Sequence, residues 1–67
     1  MADRRMTTQI YINAINTGGT EEETQRVIDS LQARGWNVVW GNAPSRFCDA
    51  REEAAFAIDF CEVMEAL

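Results

Sequence analysis

Three features of this chain have residue types that can do chemistry. They are two cysteines, a run of carboxylates, and a glycine pair placed just before a helix start. A cysteine or serine becomes a nucleophile when a base sits beside it. The 67 residues contain no histidine, so Cys48 and Ser45 lack the commonest activator. Cys48 stands near a predicted helix start, where the helix dipole and the neighbouring Asp49 work against each other. With residues 48–61 mostly helical, Cys48 and Cys61 lie roughly 15–20 Å apart along the axis. That is beyond the reach of an intramolecular disulfide. Both read as reduced structural thiols of a cytoplasmic protein.

The glycine pair lies in "NAINTGGTEEETQRVI", residues 13–28. An apolar stretch, two glycines and a helix N-terminus can cradle a phosphate on free amides. Neither full fingerprint, GxGxxG or GxxxxGK[ST], is present. Thr20 and Glu23 have capping-box spacing, which commits those amides to the chain itself. Glu21, Glu22 and Glu23 would also repel an anion. The turn at Gly18 and Gly19 therefore reads as a connector. A small ligand- or nucleotide-binding βα module built on it is the alternative function.

Paired carboxylates do acid–base work when burial splits their pKa values. Glu52, Glu53, Asp59, Glu62 and Glu65 instead fall on one exposed region of a predicted helix, and no acid is expected in the core. No catalytic residue, metal site or cofactor is expected. The chain reads as non-enzymatic.

The elements that must carry these residues follow from periodicity. Thr8 to Asn16 reads as a strand, with Ile10, Ile12 and Ala14 on one face. Thr20 to Arg34 reads as a helix buried through Val27, Ile28 and Leu31, with Thr24 at the edge of the stripe. Gly35 suits a left-handed residue after the helix, which would fold Trp36 onto Leu31. Trp36 to Trp40 reads as a second strand. A second helix starts at Ser45 or Asp49 and runs nearly to the end. The fold class is α/β (α+β): a small βαβα unit over residues 8–67, preceded by a flexible extension at 1–7.

The segments "IYINAINTGG" and "LQARGWNVVW" resemble the first βαβ unit of nucleoside deoxyribosyltransferase-like proteins. The likeness spans about half the chain and includes no catalytic carboxylate in a matching context. That family's activity is therefore not carried over.

The second helix is apolar on two sides. Ala54, Ala57, Ile58, Cys61 and Met64 form one stripe, and Phe56, Phe60, Val63 and Leu67 form another. A surface helix needs only one, and small domains without disulfides or metals often rely on a partner subunit. Phe56, Phe60, Val63 and Leu67 are therefore expected to form a homodimer interface, completing the two-stranded unit.

Eleven acids against six arginines, with no lysine, give a net charge of −5. That balance disfavours direct binding to nucleic acid or an anionic membrane. It favours a protein partner with a basic surface, met by Glu52, Glu53, Asp59, Glu62 and Glu65. A small acidic chain without catalytic groups resembles phage- or mobile-element-encoded inhibitors of host machinery, anti-CRISPR proteins among them. The resemblance implies a host protein as partner, such as a CRISPR-Cas or other defence component, whose nucleic-acid-binding surface is occupied in the host cytoplasm.

Overall fold

The structure, a computed structural model, describes residues 9–66. In chain order it contains β1 (Gln9–Ile12), α1 (Ala14–Thr17), α2 (Glu21–Ala33), β2 (Asn37–Trp40) and α3 (Ala50–Glu65). The expected extension at 1–7, together with Thr8 and Leu67, lies outside the described residues. The two strands are parallel, with Ile10 opposite Val38 and Ile12 opposite Trp40. The described residues form a mixed α/β fold of two parallel strands and three helices.

The first strand is shorter than its alternating pattern predicts, because residues 14–17 turn into α1 instead of continuing extended. Asn13 explains the change. Its side chain accepts from the backbone N–H groups of Ile15 at 3.0 Å and Asn16 at 3.3 Å. Asn16 answers by accepting the Asn13 N–H at 2.9 Å. Asparagine is among the best N-cap residues, and this reciprocal pair closes a turn that the periodicity of Ile10, Ile12 and Ala14 does not reveal.

α2 begins and ends as its sequence predicts. Thr20 Oγ1 accepts the Glu23 N–H at 3.1 Å, and Glu23 Oε1 accepts the Thr20 N–H at 2.9 Å. At the other end Gly35 has φ 97°, a left-handed conformation that a residue without Cβ adopts without strain. Trp36 N–H then reaches back to Leu31 O, and Gly35 N–H to Gln32 O, both at 3.0 Å. These two bonds make a Schellman turn and deliver Trp36 into the interior, 2% exposed. Thr24, expected at the edge of the stripe, is fully buried. Its hydroxyl is satisfied by Thr20 O at 2.9 Å and by Thr17 Oγ1 at 2.8 Å.

The core gathers Ile10 and Ile12 from β1, Val38 from β2, Val27, Ile28 and Leu31 from α2, Trp36, and Val63 from α3. α3 meets this core through the opposite stripe from the one expected to do so. Phe56 stands edge-on to Trp36 with ring centroids 5.2 Å apart, and also packs with Phe47 and Phe60. Val63 is only 4% exposed and belongs to the chain's own core, so its expected place on an open interface stripe is corrected. Phe56 and Phe60 are half-buried against the same core. Leu67, the fourth expected interface residue, lies outside the described residues. The stripe of Ala54, Ala57, Ile58 and Cys61 faces outward. The reason is reach: Trp36 and Phe47 arrive from distant segments on the phenylalanine side, and aromatic pairs of this geometry outweigh alanine contacts.

While Trp36 is buried, Trp40, at the end of β2, stands at the surface. It is 42% exposed, and its indole N–H donates to Gln25 Oε1 at 2.7 Å.

Candidate functional site

The acidic helix divides into carboxylates that hold the fold and carboxylates that face outward. Asp49 is the N-cap of α3, accepting the Glu52 N–H at 2.9 Å. Glu52 does not lie on an exposed face: it is 6% exposed, and its Oε1 accepts the Cys48 N–H at 2.7 Å. The expectation of an acid-free core is corrected here. Capping-box spacing brings the side chain back over the helix start. It reaches the N–H of Cys48, the residue before the cap.

Asp59 and Glu62 are bound to α2. Arg34 Nη1 donates to Glu62 Oε1 at 2.7 Å and to Asp59 Oδ1 at 3.2 Å. The hydrogen bond to Glu62, with the charges of Asp59 and Glu62, holds the guanidinium pKa above its ordinary value despite partial desolvation. Asp59 Oδ2 also accepts the indole N–H of Trp36 at 2.7 Å. One side of Asp59 therefore closes the core while the other joins a helix–helix ion pair. Glu53 and Glu65 are exposed and enter none of these contacts. Of the five carboxylates expected on one acidic surface, the structure puts Glu52 inside, ties Asp59 and Glu62 to Arg34, and leaves Glu53 and Glu65 facing outward.

The Gly18–Gly19 turn spends its amides on the chain. Gly18 N–H donates to Ala14 O at 2.8 Å and Gly19 N–H to Thr17 Oγ1 at 3.3 Å. Thr20 N–H is held by Glu23, whose carboxylate fills the space beside Gly19 that a Cβ would occupy. A phosphate would have to displace these bonds and approach three glutamates.

The more open feature carries no sequence motif. Because the strands are parallel, their carboxyl ends face the same way, the usual location of ligand sites in open α/β sheets. The chain after β2 crosses to the far edge of β1, where Ser45 Oγ accepts the Tyr11 N–H at 3.1 Å. Asn13 staples the two post-strand loops together, donating to Gly41 O and to Asn42 Oδ1, both at 3.2 Å. Between β1, this loop and α3 lies a cleft of about 360 Å³. Its walls include Phe47, Phe56 and Phe60, and Glu53, Tyr11 and Ser45 supply polar groups. A second, polar groove of about 310 Å³ shares Tyr11, Asn16 and Ser45 with it. The available signal was Ser45 and Phe47 in a loop between two elements, but no local rule says which strand edge that loop meets.

Cys48 and Cys61 are both exposed, and neither is in a disulfide. Among the described residues no group of three His, Cys, Asp or Glu side chains is arranged to hold a metal ion. Among them also, no helix is long and apolar enough to cross a membrane. Comparisons with protein-family models, curated proteins and solved structures find no match to this chain.

Proposed function

We propose that this chain is a non-enzymatic binding module that seats a basic segment of a protein partner against the cleft between β1, the 41–49 loop and α3. The observation that supports the reading is the exposed Glu53 carboxylate on a cleft walled by Phe47, Phe56 and Phe60. An arginine or lysine side chain lays its apolar stem on such a wall and keeps its charge at the acidic rim. A cation over an aromatic face contributes about 0.5–1 kcal/mol at an exposed site. The net charge of −5 steers basic partners toward the molecule, an effect that salt screens. A host protein whose basic, nucleic-acid-binding surface is occupied in the cytoplasm fits this chemistry. The reading accords with the resemblance of this small acidic chain to phage- and mobile-element-encoded inhibitors of host machinery, anti-CRISPR proteins among them.

The test is a titration with arginine- and lysine-bearing peptides that carry neighbouring apolar residues, followed by backbone amide shifts at several salt concentrations. Shifts centred on Tyr11, Ser45, Glu53 and Phe60, weakened by salt and lost in Glu53→Lys, support the reading. Equal response to acidic peptides, or shifts centred on Glu21 and Glu22, would overturn it.

A further inference from the structure

We propose that two copies of this chain pair antiparallel through the outer face of α3. Ala54, Ala57, Ile58 and Cys61 are exposed there, Ile58 by 60%. Their i, i+3, i+4, i+7 spacing makes one continuous stripe. The chain's own interior has no use for it, because Phe56 and Val63 fill the opposite side of the helix. The alanines allow a second helix to approach closely, and Ile58 supplies the apolar anchor at the centre.

Charge selects the occupant and its direction. Arg51 is the only basic residue of α3, and Glu65 closes the helix. Both are exposed. Positions 51, 58 and 65 recur every seven residues, so they lie along one flank of the stripe. Ile58 stands midway between the two charges. A two-fold axis at Ile58 therefore brings Arg51 of each copy against Glu65 of the other, at both ends, and Ile58 against Ile58 in the middle. A parallel pair leaves Arg51 and Glu65 about 21 Å apart along the axis, with no cation on α3 for Glu65 to meet. Self-complementarity under a two-fold is what an isologous interface requires. A helix of 16 residues gives a contact line about 24 Å long. That makes a small interface, and so a concentration-dependent dimer.

Sedimentation equilibrium of the full chain, from about 10 μM to about 1 mM, tests this. The expected result is a mass rising from 7.6 kDa toward twice that value. Ile58→Glu should stay monomeric throughout with an unchanged melting curve, since Ile58 contributes little to the chain's own core. Arg51→Glu and Glu65→Arg should each weaken pairing by about tenfold, roughly 1.4 kcal/mol. The double variant Arg51→Glu/Glu65→Arg should restore it, because the same contacts re-form with their signs exchanged. A wild-type monomer at the highest concentration overturns the proposal, as does dimerisation of Ile58→Glu at wild-type strength. Failure of the double variant to recover overturns it too, since a parallel pair or another face does not depend on this contact.

Discussion

The indole N–H of Trp36 donates to Asp59 Oδ2 at 2.7 Å. A carboxylate on α3 thus supplies the polar partner of the largest fully buried side chain among the described residues. This bond links the two ends of the fold's logic: the Schellman turn after α2 delivers Trp36 inward, and α3 is positioned to receive it.

Replacing Asp59 separates that bond from the charge it carries. Asp59→Ala deletes the acceptor of a buried donor, which costs about 2 kcal/mol. Asp59→Asn keeps an acceptor oxygen and should cost less than half as much, losing mainly the ion pair with Arg34. Urea midpoints at fixed salt measure both. Equal losses in the two variants would show that the charge, and not the hydrogen bond, is what stabilises.

Glu52 is expected to act as a structural residue. Glu52→Ala leaves the Cys48 N–H at the start of α3 without its carboxylate acceptor, a loss of about 1–2 kcal/mol. Taking Glu52, Asp59 and Glu62 to alanine together should therefore destabilise the fold severely, although sequence patterning alone makes all three look like solvated surface. Thermal melting followed by circular dichroism decides between these outcomes. A triple variant melting with the wild type would return all three residues to a surface role.

The two stripes of α3 make opposite predictions. Val63→Ala opens space in the core and should cost about 2 kcal/mol. Ile58→Ala, on the outer face, should change stability by no more than about 0.5 kcal/mol, measured at a concentration low enough to keep the chain monomeric. If Ile58 proved the costlier of the two, the helix would be rotated from the orientation described.

Gly41 is required by a neighbour rather than by its own backbone angles. A Cβ there would fall against the ring of Tyr11. Gly41→Ala should destabilise by about 1–3 kcal/mol through overpacking. In a Tyr11→Ala background the same change should be nearly silent, and the difference between the two is a coupling energy. Additive losses across that cycle would place the strain elsewhere.

The deepest contrast lies between what acts within a few residues and what acts across the chain. The Thr20–Glu23 capping box, the Gly35–Trp36 turn, the Asp49 cap and the extended Val38–Trp40 segment were all readable in the sequence. Each is decided by hydrogen bonds or sterics among residues no more than five apart. The Asn13–Asn16 pair belongs to the same class. It was hidden only because Ile10, Ile12 and Ala14 also satisfy a strand pattern, and the stronger local cap prevailed at Asn13. The orientation of α3 belongs to the other class. Its two apolar stripes satisfy helical periodicity equally well, so no local rule ranks them. Trp36 and Phe47, brought alongside Phe56 by the βαβ crossover and the loop after β2, decide which stripe turns inward. That choice settles the rest: Val63 goes into the core, Asp59 under the Trp36 indole, and Ile58 out to the surface. The cleft on which Glu53 sits arises the same way, from a loop meeting the far edge of β1 at Ser45 and Tyr11, 34 residues apart in the chain.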